Sequence, residues 1–142
     1  MRMVPKLGSE AFKQLLLQAK AGAAEAQYMV GAAYFNGNGT QRDLAQGERW
    51  LLAAAEQGLA HAQCDLGALY AEGKGVKQSH SEAAKWLRKA AEQGDSLGQA
   101  GLGSIYAKGF RDKSVGVFDR VILVNASADR IEAYKWFNLA LV

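Results

Sequence analysis

The chain has 142 residues, 49% hydrophobic and 22% charged, a balance typical of a folded domain rather than a disordered one. Its 26 alanines and 16 glycines stand against a single proline, which favours closely packed helices and argues against a β-sandwich. Seventeen basic and fourteen acidic residues leave a formal charge of +3. The basic residues are scattered, so nucleic acid is not the expected partner.

One cysteine, Cys64, excludes an internal disulfide framework. No apolar run approaches the roughly 20 residues of a membrane span, so membrane insertion is not expected. The opening Met1-Arg2-Met3-Val4-Pro5-Lys6 lacks the apolar stretch of a signal peptide. A cytoplasmic chain is expected as the sequence stands; had a signal been removed, it would be periplasmic or secreted.

Taken in chain order, apolar spacing predicts an opening helix over 9–21. Helix pairs follow over 23–36 and 44–57, then 59–72 and 80–93, then 95–108 and 129–141. Ala26, Val30, Ala33 and Tyr34 form one stripe, and Ala62, Leu66, Leu69 and Tyr70 form its counterpart. Gly22, Gly58 and Gly94 stand where a left-handed residue would end the second helix of a pair. Gly37 and Gly73 do the same for the first.

The pairs are copies. Trp50-Leu51-Leu52-Ala53-Ala54-Ala55-Glu56-Gln57-Gly58 returns after 36 residues as Trp86-Leu87-Arg88-Lys89-Ala90-Ala91-Glu92-Gln93-Gly94. The same shift relates Gly31, Gly67 and Gly103, and Tyr34, Tyr70 and Tyr106. A fixed period of this length marks a repeat architecture. The opening helix matches the second half of a repeat. In the third copy, Glu132-Ala133-Tyr134-Lys135-Trp136 lies 14 residues later than the period requires, which places an insertion after Gly109.

The organisation expected is a single domain over 1–142. It comprises the opening helix, a first repeat at 23–58, a second at 59–94 and a third at 95–142 with an inserted loop over 110–128. Gly31, Gly67 and Gly103 fall inside helices, where glycine costs about 1 kcal/mol relative to alanine. Close backbone approach between helices is the expected reason. Trp50, Trp86 and Trp136 are expected as large wedges in the core.

These residues resemble the Sel-1-like repeat family, a tetratricopeptide-like group of α-solenoids. The second repeat carries the pattern almost throughout: Ala62-Gln63, Leu66-Gly67, Tyr70, Gly73, Gly75-Val76, Ala83, Trp86 and Lys89-Ala90-Ala91-Glu92-Gln93-Gly94. The third departs from it. Gln99-Ala100 reads as the Ala-Gln pair inverted, and Arg111 stands where a loop glycine belongs. The resemblance implies an all-α, right-handed α-solenoid of about three helix-pair repeats plus one N-terminal helix. It also implies a non-catalytic adaptor that binds a protein or peptide in a concave groove lined by the first helices. Many bacterial members act in envelope, secretion, virulence or signalling assemblies.

Positions that vary between copies are the candidate contacts. Residues 25, 28, 29, 32 and 36 share a helix face opposite the core stripe. The expected groove set is Tyr28, Met29, Phe35, Asp65, Glu72, Ser104 and Lys108, aromatic and methionine side chains being favoured interface anchors. Cover by the lone opening helix competes with that reading for Tyr28, Met29 and Phe35, more for Phe35 than for Tyr28. The inserted loop is a second candidate surface through Phe110 and Phe118. If it plugs a target, the protein would be an inhibitor or immunity-type protein against a bacterial effector. Self-association through the C-terminal face, near Trp136 and Phe137, is a further option.

His61 and Cys64 lie one helical turn apart with Asp65 beside them, the residue types of a zinc site or a thiol nucleophile. No further ligand, oxyanion donor or base-orienting residue can be assigned. A free thiol beside a surface histidine is therefore the preferred reading, with no metal, no cofactor and no catalysis expected. Gly37-Asn38-Gly39 and Gly73-Lys74-Gly75 superficially resemble phosphate-cradling loops, but no strand precedes them and helix termination accounts for both.

Overall fold

The computed structural model describes residues 6–111, with side chains described for 6–105. Six helices follow one another: α1 (Ser9–Lys20), α2 (Ala24–Asn36), α3 (Leu44–Glu56), α4 (Ala60–Glu72), α5 (His80–Glu92) and α6 (Ser96–Arg111). No strand occurs among the described residues. The expected helix at 129–141 lies outside them.

The helix starts follow local chemistry. Asp43 accepts a hydrogen bond from Gln46 N at the head of α3, and Ser79 accepts one from Glu82 N at the head of α5. Asp95 Oδ1 accepts from Gly98 N at the head of α6. Each satisfies a first-turn N–H that has no partner within the helix. The ends follow from glycine. Gly22, Gly58 and Gly94 have φ of 99°, 93° and 84°. Gly37 and Gly73 have φ of 64° and 68°. All five adopt the left-handed conformation that side chains with a Cβ disfavour.

The first loops of the first and second pairs are built by the same bonds at the 36-residue shift. Asp43 N donates to Tyr34 O, as Ser79 N donates to Tyr70 O. Arg42 Nε donates to Phe35 O, and Gln78 Nε2 donates to Ala71 O. The side chains differ, but the carbonyls they satisfy correspond.

The chain forms two compact units, divided between Leu66 and Gly67. In the first, α2 packs against both α1 and α3. Phe12, Ala19, Ala26, Val30 and Ala33 form its core, with Leu7, Leu15, Leu16, Tyr34 and Trp50 packed against it. The Phe12 and Tyr34 rings meet edge to face, 5.4 Å between centroids. In the second, α5 packs against α6. Its core is Ala83, Ala84, Leu87, Ala91, Leu102 and Ile105. Trp86 is buried there, with Lys89 Nζ lying 4.6 Å from its ring centroid. Trp50 is half-buried, and Trp136 lies outside the described residues.

Close approach does explain Gly31. A methyl group placed on it would lie 3.0 Å from Leu51 N and 3.1 Å from Gly47 O, so α2 and α3 meet backbone to backbone. On Gly67 it would lie 2.6 Å from Leu87 Cγ, so there the neighbour is a side chain.

Three expectations are corrected. Gln99 is not inverted with Ala100. Gln27 Nε2 donates to Ala19 O, Gln63 Nε2 to Ala55 O and Gln99 Nε2 to Ala91 O, each eight residues back. The three glutamines are in one register, and Gly98 takes the place of Ala26 and Ala62. The reason is space: a methyl group on Gly98 would lie 2.8 Å from both Ala90 Cβ and Ala91 N. Next, α6 runs to Arg111 rather than 108. Gly109 does not end it, and Phe110, expected to open the inserted loop, is helical. Finally, α2 does not carry a single buried stripe. Tyr28, Ala32 and Phe35 are buried as well as Ala26, Val30 and Ala33, because neighbours flank this helix on more than one side.

Candidate functional site

The variable positions of α2 and of the first half of α4 come together within the first unit. Tyr28 is 4% exposed, and its hydroxyl donates to Asp65 Oδ2 at 2.8 Å. The Tyr28 ring meets the His61 imidazole at 5.4 Å and 68°. His61 Nε2 lies 3.3 Å from Glu25 Oε1. Four side chains from two helices thus form one polar and aromatic cluster. Its inner end, Tyr28, is buried. Its outer end is open, with the Glu25 side chain 67% exposed and His61 23%.

This arrangement follows from the repeat. Residues 25 and 61 occupy the same repeat position, as do residues 29 and 65. Stacked copies bring equivalent positions close together, and here one copy supplies glutamate where the other supplies histidine. That pairing was legible in the 36-residue offset but does not stand out without the helices side by side.

The other expected groove residues are placed as follows. Met29 and Asp65 are half-buried, and Glu72 and Ser104 are exposed. Phe35 is 8% exposed, and a methyl group on Gly47 of α3 would lie 2.7 Å from its ring. Phe35 is therefore a core residue seated on glycine. Tyr28 is also buried, with its hydroxyl on Asp65. Neither presents the open aromatic surface expected of it. Lys108 and Phe110 lie in α6 beyond the described side chains, and Phe118 lies outside the described residues altogether.

Glutamine contacts add what composition alone did not suggest. Gln57 Nε2 donates to Gly22 O at 2.9 Å and to Gln27 Oε1 at 2.7 Å. Gln27 in turn holds Ala19 O. Two glutamines of the first repeat thus clasp the exposed end of α1. Cys64 is buried, at 7% exposed. Among the described residues, no three His, Cys, Asp or Glu side chains gather as a metal ion would require. No described helix is long and apolar enough to cross a membrane.

Helix pairs repeated at a fixed period and stacked through small residues define an all-α helical-repeat solenoid. The Sel1 repeat model matches residues 24–59, 60–95 and 124–141, more than half of the chain. The chain belongs to the Sel1 repeat family. The third match begins beyond the described residues and covers the expected helix at 129–141. Comparison with the curated proteins gave no match. Among solved structures, the chain is similar to c5321, a protective antigen of uropathogenic Escherichia coli strains that displays an SLR fold. The two are 38% identical with a TM-score of 0.75, over 92% of this chain. This chain spans a quarter of the length of c5321 (25%). It is also similar to a Sel1 repeat protein from Oxalobacter formigenes, at 32% identity and a TM-score of 0.72. That match covers 91% of this chain and 86% of the other. Sel1 repeats are commonly protein-interaction modules.

Proposed function

We propose that the chain is a non-catalytic adaptor that binds a protein or peptide on the face carried by its first helices. The observation that supports this reading is the half-open cluster at Glu25, Tyr28, His61 and Asp65. Its buried half fixes the geometry of the two helices through the Tyr28–Asp65 hydrogen bond. Its open half offers a carboxylate and an imidazole, with half-buried Met29 one helical turn from Glu25. A rigid base under an accessible polar and apolar edge suits recognition, because little ordering is left to oppose binding.

This reading moves the contacts outward. Tyr28 and Asp65 act as the support, and Glu25, Met29 and His61 as the surface. In the second unit, exposed Glu72 and Ser104 remain contact positions in the same sense.

The test is affinity capture from the source organism's lysate, read by mass spectrometry and followed by a direct binding titration with the protein recovered. A Glu25→Lys, Met29→Glu variant should keep its helical circular dichroism. It should lose at least about tenfold in affinity, as removal of one good interface contact does. Equal recovery and equal affinity for both chains would discard this face.

A further inference from the structure

The loop after α2 reads Asn36-Gly37-Asn38-Gly39, two consecutive asparagine–glycine pairs. Such pairs are the ones most open to spontaneous deamidation, because glycine leaves the following backbone nitrogen unhindered. In an unfolded chain the two would differ little. The fold makes them different.

Asn36 is the last residue of α2, and the nitrogen that would attack its side chain, Gly37 N, donates to Ala33 O. That proton must leave before the nitrogen can react, and the hydrogen bond retains it. Asn38 lies beyond the helix. Gly39 N donates to no backbone carbonyl among the described residues. The Asn38 side-chain oxygen accepts a hydrogen bond from Leu7 N at 2.8 Å. A donor on that oxygen stabilises the negative charge it gains when its carbon is attacked.

We infer that Asn38, and not Asn36, is a site of spontaneous deamidation and isoaspartate formation in the folded protein. Gly39 N loses its proton and bonds to Asn38 Cγ. Ammonia leaves with the side-chain nitrogen, and a five-membered succinimide remains. Water then opens the ring. Cleavage of the bond between Gly39 N and Asn38 Cγ gives aspartate. Cleavage between Gly39 N and the Asn38 backbone carbonyl carbon gives isoaspartate, with one extra carbon in the main chain. No oxidant or cofactor is needed.

The extra carbon falls at a tight place. Gly39 has φ of 77°, and a methyl group on it would lie 3.0 Å from Leu7 Cβ and 3.1 Å from Phe12 Cβ. Isoaspartate at 38 therefore disturbs the seat of Leu7 and the start of α1. The second repeat has Lys74 at the corresponding position, so the site belongs to the first repeat alone.

The experiment incubates the native chain for days in mildly alkaline buffer at body temperature. Peptide mapping with isoaspartate detection then follows both pairs. The same chain in denaturant serves as the reference, where both should convert. In the folded chain, Asn38 should convert faster than Asn36 by about tenfold, the factor supplied by one hydrogen bond held against reaction. Asn36 converting as fast as Asn38, or Asn38 remaining intact while the denatured reference converts, would overturn the assignment. The isoaspartyl form, separated by ion exchange, should show faster amide hydrogen exchange over residues 7–12 than the untreated chain. Unchanged exchange there would overturn the claim that the lesion loosens α1.

Discussion

Tyr28 illustrates how a residue's role depends on what faces it. Its aromatic ring and variable position suit an interface anchor, yet its hydroxyl is committed to Asp65 and its ring to His61. Tyr28→Phe should lower stability by about 1–2 kcal/mol, since the bond is to a carboxylate and part-buried. Urea unfolding of Tyr28→Phe, Asp65→Asn and the double variant should give a coupling energy near 1 kcal/mol. Additive effects would show that the pair does not act together. The His61–Glu25 contact is more exposed and should contribute less. Glycine behaves with the same dependence on its neighbours. Gly31→Ala places a methyl against Leu51 N and Gly47 O, backbone atoms that cannot step aside. It should destabilise the protein despite alanine's better helix propensity, by about 1–3 kcal/mol. Gly101→Ala meets only the tips of Leu87 and should cost less. Thermal unfolding of the two variants side by side checks the order.

At the level of the element, the glutamine clasps determine how each helix pair meets the one before. Gln27, Gln63 and Gln99 each reach a carbonyl in the last turn of the preceding helix, at 3.2, 3.0 and 3.5 Å. Each of these carbonyls also accepts from the glycine three residues on, Gly22, Gly58 or Gly94 N, so the clasp supplies a second hydrogen bond worth about 0.5–1.5 kcal/mol. Gln63→Leu should therefore cost more than Gln99→Leu, whose bond is longer and part-buried. Chemical denaturation midpoints will rank them; the reverse order would show that the clasp is not what these side chains contribute. The helices themselves were legible. Their starts, at 9, 24, 44, 60, 80 and 96, fall within a residue of those the apolar spacing predicts. What spacing did not reveal was the run of α6 to Arg111 or the burial of α2 on more than one side. The first escaped because Gly109 resembles a terminator at the level of local sequence. The second escaped because periodicity shows one apolar stripe and does not show how many neighbours a helix has.

At the scale of the whole molecule, the boundary between the compact units falls inside α4, between Leu66 and Gly67. A single helix is thus shared by both. Ala68 is exposed near its centre, so a substitution there disturbs little packing. Ala68→Pro removes a helical hydrogen bond and clashes with the preceding turn, at a cost of about 3 kcal/mol or more. It should reduce helical circular dichroism and lower the unfolding midpoint well beyond the effect of Ala68→Gly, which costs about 1 kcal/mol.

The helical class, the 36-residue repeat and the family were legible in the sequence, because these rest on periodicities written along the chain. Tertiary structure alone decided which variable residues are available. Phe35 turned out to be seated on Gly47, Tyr28 bound to Asp65, and Glu25 and Met29 left toward the outer edge. The physical reason is that exposure depends on neighbours brought in from other helices, Gly47 from α3 and Asp65 from the next repeat. Two positions with the same local pattern can be core in one copy and surface in the next.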